Sequence, residues 1–439
     1  MMGKVKNILL TLFAVILVFG VLFSYRQTAG VGTNIITIRY WNLFTGPDGR
    51  TMLELVKRFN RENPDVSVRM QRMKLMTYYN KLFVAGLGNR MPDVFVIHAS
   101  AVERFVHAGI LRPVNTMLNS ENGIPLDDFS DRVIDAVIRD DQIFGVPLDT
   151  HMLGMYYNEQ LLKESGFVDS EGNARPPKTR EEFMAVLAKN TKDVDGDGRC
   201  DNWGFTFTWL RTNIVSLMWQ FGGRFFNDDF TECTLNSPEN VAALEFCADI
   251  VNKYQYSPLP GTGQSEGWIG FRQGRIAIAF EGIYMLPELE KLETLDISAA
   301  PLPVIGNKPA TWADSHVLCL SQEIEGKRLE AAWRFVKFIS DNSLDWAAGG
   351  QVPVRKSLLN SERFSSMAIQ NAFARQLPYI QYMPRVPFIG EFCGELDIAT
   401  EKTLRGSMSA QEALDIATKR VNKAIKRYHC ENKQDADEK

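Results

Sequence analysis

The chain has 439 residues, of which 45% are apolar, so it can bury a substantial core, and its length suits two globular units better than one. Its 49 lysine and arginine side chains are balanced by 53 acidic ones, which gives a net charge of -4. This balance argues against nucleic acid or an anionic membrane surface as a partner, because neither would meet an excess of positive charge.

The first residues carry the charge and hydropathy order of an export signal. Lys4 and Lys6 precede an uncharged, mostly apolar run at residues 8–23. This order predicts an extracytoplasmic protein, in the periplasm or at the cell surface. The run is long for a cleaved signal and short for a membrane span. Residues 1–30 are therefore either a signal peptide cleaved near Ala29 or an uncleaved anchor that holds the protein at the cytoplasmic membrane.

After this segment, strands and helices alternate. Hydrophobic periodicity predicts strands at residues 35–41, 66–70 and 94–97, and helices at residues 50–60, 78–87 and 101–108. This alternation is typical of a mostly parallel sheet that is covered by helices on both faces. The first globular unit is therefore predicted to be α/β.

A Gly-Val-Pro break at residues 145–147 ends this pattern, and a second series of elements follows. Periodicity predicts strands at residues 152–158, 204–209, 276–280 and 317–320, and helices at residues 160–164, 179–191, 238–253 and 329–340. Thr179, with Glu182 three residues later, fits a capping box. Residues 431–439 are almost entirely polar, which predicts a frayed tail.

The six cysteines show neither a CxxC pair nor metal-type spacing, so no zinc or thioredoxin-like motif is present. One or two disulfides in an oxidising compartment and buried free thiols both remain open. The cysteines are Cys200, Cys233, Cys247, Cys319, Cys393 and Cys430.

Four segments together resemble the extracellular solute-binding proteins of ABC importers, in the branch typified by maltose-binding protein. They are PDVF with AGILRP at residues 92–95 and 108–113, GVPLDT with YYN at residues 145–150 and 156–158, FRQGRIAI ending in GIY at residues 271–284, and AAWRFVKFI at residues 331–339. Each segment alone is weakly specific, but four in the family's order are specific together. The resemblance extends over roughly residues 33–428.

The resemblance implies an α/β protein with the two-lobe periplasmic-binding-protein type II fold, with a hinge and an interlobe ligand cleft. The chain would cross between lobes near Pro147, Pro301 and Ser343. Lobe 1 would comprise residues 31–148 and 302–342, and lobe 2 residues 149–301 and 343–430. The implied function is capture of a sugar or polyol and its delivery to ABC permease subunits by a monomeric receptor that requires no cofactor.

Sugar capture needs aromatic faces for the ring and planar polar groups for its hydroxyls. Residues of these types stand at the family's contact positions, although core, turn or cap roles are open for each of them. The candidates are Trp41, Asn42, Phe44, Thr45, Ser100, Asp149, His151, Phe207, Trp209, Trp268, Glu281, Gly282, Tyr284, Trp312, Asp314 and Tyr382. The family's usual Gly-Pro-Trp is Gly-Ile-Tyr at residues 282–284, which leaves stacking by Tyr284 feasible and the solute class open.

A separate acidic loop matches the first part of a calcium-binding loop, with alternate oxygen ligands and a glycine for the turn. The predicted metal residues are Asp193, Asp195, Asp197, Arg199 and Asp201. The twelfth position is Gly204 instead of a bidentate glutamate, so we expect modest affinity and a structural Ca²⁺ ion. A solvated acidic turn without metal is the alternative.

A secreted carbohydrate-active enzyme is the rival class, because glycosidases use two carboxyl groups, and Asp149 with Glu281 would supply such a pair. No GxSxG, HExxH or Walker motif is present, and no Cys/His nucleophile context is found. The sequence therefore favours a receptor over an enzyme. A solute sensor that uses the same fold without transport stays open.

Overall fold

The computed structural model describes residues 35–46, 48–259, 266–292 and 295–437. The predicted export segment at residues 1–30, with its apolar run at residues 8–23, lies outside them. Across the described ranges, no helix is both long and apolar enough to span a membrane.

The strands fall into two larger sheets and one short hairpin. In chain order they are β1 (Ile36–Asn42), β2 (Val66–Arg72), β3 (Val94–His98), β4 (Ile138–Arg139), β5 (Gln142–Ile143), β6 (Val146–Pro147), β7 (Asp149–Asn158), β8 (Trp203–Phe207), β9 (Ile276–Gly282), β10 (Ile297–Ala300), β11 (Thr311–Asp314), β12 (His316–Leu320), β13 (Val352–Pro353) and β14 (Ile380–Gln381).

Helices cover these sheets. In chain order they are α1 (Asp48–Glu62), α2 (Leu75–Leu87), α3 (Val102–His107), α4 (Asn115–Leu118), α5 (Asp131–Asp135), α6 (Glu159–Glu164), α7 (Arg180–Asn190), α8 (Leu210–Gln220), α9 (Pro238–Ala248), α10 (Glu266–Arg272), α11 (Leu286–Leu289), α12 (Gly326–Asp341), α13 (Ser343–Ala347), α14 (Lys356–Leu359), α15 (Glu362–Ser365), α16 (Ala368–Ala374), α17 (Ile389–Leu404) and α18 (Ala410–Asp437). A π-helical turn, Asp249–Lys253, extends α9.

The first sheet has the order β2-β1-β3-β12-β6. β1 is parallel to β2 and β3, whereas β12 is antiparallel to β3 and β6. Helix α1 packs on this sheet because Met52, Leu55, Val56 and Phe59 recur at the helical period and are all buried. Sheet and helices enclose one core, which also includes Trp346 of α13.

The second sheet is built around β7, whose ten residues are all buried. β7 pairs antiparallel with β9, β10, β11 and β13, while β8 and β14 extend the sheet at its two sides. Successive β7 side chains alternate between two cores, since Leu153 and Met155 join one and Met152 and Tyr156 join the other. Burial on both faces explains why the middle of β7, MLGMYY at residues 152–157, is almost entirely apolar.

The chain passes between the sheets over very short connections. Leu148 alone separates β6 from β7, and Ser315 alone separates β11 from β12. The return crossing thus lies at Ser315, later in the chain than Pro301, where the resemblance implied it. The third passage follows α13 and leads into β13, close to the predicted position near Ser343.

Gly145 is required where the chain turns into β6. Its φ is +114°, and a Cβ atom there would lie 2.7 Å from Val317 Cγ1 and 2.8 Å from the Leu318 carbonyl oxygen. A residue with a side chain would therefore be strained in its backbone and would clash with β12. The Gly-Val-Pro break is a packing requirement of the first crossing.

The predicted major elements are confirmed, with ends that move by a few residues. Thr179 is the N-cap of α7 and its hydroxyl oxygen accepts a hydrogen bond from the Glu182 amide, as the capping box predicts. One detail differs from the sequence predictions: α18 continues to Asp437 through most of the segment predicted as a frayed tail. All six cysteines are free, and Cys233, Cys247 and Cys319 among them are buried.

Candidate functional site

Three histidines converge where the two sheets meet. His98 ends β3 and His316 begins β12, and antiparallel pairing places these two residues opposite each other. His151 lies in β7, opposite Asp314 of β11. The ring centroids of His316 lie 5.0 Å from His98 and 4.4 Å from His151. Strand register therefore gathers imidazoles from both sheets into one cluster.

Asp149 holds two of these rings. One carboxylate oxygen lies 3.2 Å from His151 Nδ1, and the other lies 2.8 Å from His316 Nδ1 and accepts the Trp346 indole N–H at 2.5 Å. The Asp149 side chain is fully buried. Burial alone would raise the pKa of this carboxyl, but the charge of His316 and the hydrogen bonds from both imidazoles hold that pKa below its usual range.

The third ring is oriented by Tyr79 of α2. The Tyr79 hydroxyl oxygen lies 2.7 Å from His98 Nδ1 and also accepts the His98 backbone N–H at 2.9 Å. Burial lowers the pKa of His98 well below the ordinary histidine value, and the neighbouring His316 and His151 lower it further. His98 is therefore a neutral imidazole with a fixed ring orientation.

His316 has the opposite shift. Burial alone would lower its pKa, but the buried negative charge of Asp149 and the hydrogen bond to it raise the pKa above the ordinary value, with smaller contributions from Asp48 and Asp314. Phe44 packs edge-on against this ring at a centroid distance of 4.8 Å and also contacts Trp346. The predicted ligand contact Phe44 thus forms a buried wall of the cluster.

Aromatic side chains continue from the histidines across the second sheet. Trp312 and Tyr284 approach His151 with centroid distances of 5.8 and 6.2 Å, and Trp209 meets Tyr284 edge-on at 6.0 Å. Trp312 and Tyr284 are half-buried, whereas Trp209 is 48% exposed. These three predicted residues therefore form one partly accessible aromatic surface beside the cluster.

Polar groups from both sheets border this surface. The exposed Ser100 donates its hydroxyl to Asp314 at 2.5 Å, and its backbone N–H also points to that carboxylate. Tyr382 shares a hydrogen bond with the Ser315 hydroxyl at 2.7 Å. Ser100, Asp314 and Tyr382 thus lie together at the return crossing.

Several other predicted contact residues lie elsewhere. Phe207 is in the core of the second sheet, and Trp268 is buried against Phe271. At the end of β1, Trp41 is half-buried under the Lys81 ammonium, and Asn42 is fully buried and accepts the Phe44 amide through its side chain. Thr45 is exposed in the following loop.

Glu281 and Gly282 are the last two residues of strand β9. The Gly282 amide donates to the buried Glu281 carboxyl at 2.6 Å, and a Cβ atom on Gly282 would lie 2.2 Å from the Tyr284 ring. Burial raises the pKa of Glu281 to about 8, against the weaker lowering by the Gly282, Thr208 and Trp209 hydrogen bonds. Glycine at position 282 therefore lets Tyr284 lie over the strand end.

A family model described as bacterial extracellular solute-binding protein matches residues 54–371. The chain belongs to this family. The predicted family and the two-lobe α/β fold are thereby confirmed, since solved sugar-binding proteins of that fold superimpose on nearly the whole chain.

This extracellular solute-binding protein has relatives with different named ligands. A maltotriose-binding protein from Pyrococcus abyssi is 22% identical over 391 residues, which cover 86% of this chain and 79% of the relative. The sn-glycerol-3-phosphate-binding periplasmic protein UgpB of Escherichia coli is 21% identical over 437 residues, covering 91% and 94%. The sugar-binding protein MalE from Xanthomonas citri superimposes with a TM-score of 0.78 at 22% identity, covering 91% and 99%.

The acidic loop of this solute-binding protein precedes β8. Carboxylate oxygens of Asp193, Asp195 and Asp197 lie within 4.8 Å of one another, and all three side chains are exposed. Asp201 accepts the Val194 amide at 2.7 Å, and backbone amides also bond to the other three carboxylates. Arg199 is one of those amide donors. The loop thus brings three of the predicted calcium ligands together.

Sequence reasoning found His151 but missed His98, His316, Tyr79 and Trp346. A signal was present, because His98 directly follows one predicted strand and His316 directly precedes another. That these two strands are antiparallel neighbours depends on the topology, which the sequence did not reveal. Without knowledge of this strand pairing, His98 and His316 could not be predicted to be neighbours.

Proposed function

We propose that this extracellular solute-binding protein captures a sugar or related polyol between its two lobes and delivers it to the permease of an ABC importer. The observation that carries the proposal is the aromatic surface of Trp312, Tyr284 and Trp209, bordered by Ser100 and Asp314 at the crossing. Flat apolar faces beside hydroxyl and carboxylate groups suit a sugar ring. The relative from Pyrococcus abyssi that is named for maltotriose supports the same ligand class.

Binding of the solute would favour the closed arrangement of the two lobes, because both lobes would contact the solute. Ser100 lies two residues after strand β3 of the first sheet, whereas Trp312 lies in strand β11 of the second sheet. A ligand that touches both stabilises the closed form by its differential affinity. We further propose a monomer that acts outside the cytoplasm, with residues 1–30 serving as a cleaved signal or as a membrane anchor.

Replacing Trp312 with alanine is expected to weaken solute binding by about 2 kcal/mol, or ~30-fold, because an aromatic stacking face is lost. The full-length protein is titrated calorimetrically with maltotriose, shorter sugars, polyols and sn-glycerol 3-phosphate. Thermal unfolding is followed in parallel, since a ligand at 100 times its Kd stabilises the protein by about 2.7 kcal/mol.

The matched control is Tyr254→Ala, which removes an exposed aromatic side chain away from the crossings. It should leave solute affinity unchanged. If the Trp312→Ala and wild-type proteins bound the solute with equal affinity, the aromatic surface would not be part of the binding site. Cleavage of a glycoside in place of reversible binding would favour the carbohydrate-active enzyme, with Asp149 and Glu281 as its carboxyl groups.

We also propose a structural Ca²⁺ ion in the loop formed by Asp193, Asp195, Asp197, Arg199 and Asp201. Calcium prefers carboxylate and carbonyl oxygens. The carboxylates of Asp193, Asp195 and Asp197 already lie together. Removal of calcium with a chelator is expected to lower the Tm, and Asp195→Ala is expected to abolish that difference. Asp169→Ala, in another acidic turn, is the control that should keep it. Identical melting of wild-type protein with and without calcium would contradict the assignment.

A further inference from the structure

We propose that His98, His151 and His316 bind one divalent transition-metal ion, of the class of Zn²⁺, through their Nε2 atoms. The three are drawn from only five histidines in the chain, and they meet at the crossing between the two sheets. The proposal concerns a site separate in chemistry from sugar capture and does not depend on the solute.

The spacing of the rings suits a metal ion. A ring nitrogen of each histidine lies within 4.8 Å of a ring nitrogen of the other two. Tetrahedral Zn²⁺ with Zn–N bonds of about 2.0–2.1 Å requires nitrogen atoms ~3.3 Å apart. Side-chain rotations that bring the three Nε2 atoms to this separation would therefore complete a three-histidine site.

The second nitrogen of every ring is already engaged. Asp149 bonds to Nδ1 of both His151 and His316, and the Tyr79 oxygen bonds to Nδ1 of His98. Metal-binding histidines typically donate their other N–H to a carboxylate or another oxygen, which fixes the tautomer and aims the free nitrogen at the ion. Within the described residues, no hydrogen bond to the Nε2 atoms of these rings is found.

The local charge also favours a cation. The fully buried Asp149 is the hydrogen-bonding partner of two rings, and the buried Asp314 lies opposite His151 in the strand pairing. Among the described side chains, no lysine or arginine forms an ion pair with either carboxylate. A divalent ion bound to neutral imidazoles would balance this buried negative charge.

The donor set selects the class of metal. Imidazole nitrogen suits zinc, copper and nickel, whereas calcium and magnesium prefer oxygen ligands. Three protein ligands leave a fourth position for water or for an oxygen of a bound molecule. Because His98 and His316 belong to the first sheet and His151 to the second, the ion would connect both lobes.

The direct test uses the full-length chain purified without a polyhistidine tag, stripped with a chelator and dialysed against Zn²⁺. We expect one tightly bound zinc ion per chain, measured by elemental analysis, with nitrogen neighbours at about 2.0 Å in zinc X-ray absorption. Co²⁺ substitution should give the absorption spectrum of a tetrahedral nitrogen site. An absence of bound zinc, or an oxygen-only environment, would overturn the proposal.

Variants locate the ion. His98→Ala should weaken zinc binding by more than 100-fold, because it removes a ligand and not merely an outer partner. Tyr79→Phe keeps the ring packing and should weaken it by ~10-fold, so it decides the question if His98→Ala does not fold. The exposed histidines supply the controls His107→Ala and His429→Ala, and Asp195→Ala controls for the acidic loop. Unchanged zinc affinity in both His98→Ala and Tyr79→Phe would refute the site.

Discussion

Replacing Asp149 with alanine is expected to lower the free energy of unfolding of the metal-free protein by about 3–5 kcal/mol. The carboxylate is fully buried and is the hydrogen-bond partner of His151, His316 and Trp346. Its loss leaves four buried donors without an acceptor, namely the side chains of His151, His316 and Trp346 and the His316 backbone N–H. It also removes the negative charge that raises the pKa of His316. Urea unfolding of the wild-type and variant proteins in the presence of a chelator measures the difference.

Asp65→Ala is the matched control for this experiment. Asp65 also pairs with a cation, Arg334, but both side chains are exposed, so its removal should change stability far less. If the two variants lost equal stability, the buried network around Asp149 would not hold the crossing together. If Asp149→Asn lost less stability than Asp149→Ala, part of the effect would come from the hydrogen bonds that an asparagine side chain of the same shape can still accept.

Glu281 is expected to make a contribution to stability that falls as pH rises from about 4.5 to 8. Burial raises the folded-state pKa of Glu281 to about 8, whereas the ordinary value is 4.5. Between these values the folded protein retains a proton that the unfolded chain has released, so each pH unit favours unfolding. At 1.36 kcal/mol per unit, the full effect is on the order of 5 kcal/mol.

Glu281→Gln removes this titration while keeping a neutral side chain of the same shape. The variant is therefore expected to show a flatter profile and to be more stable than wild type at pH 8. Thermal or urea unfolding at closely spaced pH values checks both results. Glu164→Gln, at an exposed position, should retain the wild-type slope. A parallel profile for Glu281→Gln and wild type would show that Glu281 is ionised in the folded protein.

Periodicity was sufficient to predict the larger elements. Alternating or buried apolar residues marked β1, β2 and β3, and helical spacing marked α1 and α12, because each buries a long continuous face. Two-residue strands such as β6 and β13 are too short to show a period and are defined by their partners. The return crossing was hidden for a related reason: β11 and β12 are separated only by Ser315 and resemble one strand.

The candidate site was harder to predict because burial and accessibility depend on tertiary packing. Trp268 and Trp209 are both aromatic residues near recognised segments, but one is buried against Phe271 and the other is 48% exposed. Asp149 was predicted as a sugar contact, whereas in the structure its oxygens bond to protein donors. The partners of Asp149 come from distant parts of the chain, so no local pattern could reveal them.

The two one-residue crossings limit how the lobes can move. The Leu148 amide donates to the His316 carbonyl oxygen at 2.8 Å, so the strands that pass between the sheets are bonded to each other at the point of passage. Sliding one strand past the other would break this bond, whereas bending both together would preserve it. Opening of the protein is therefore expected to proceed by a shared flexing of these two strands beside the histidine cluster, while the third passage stays paired with β7 through β13.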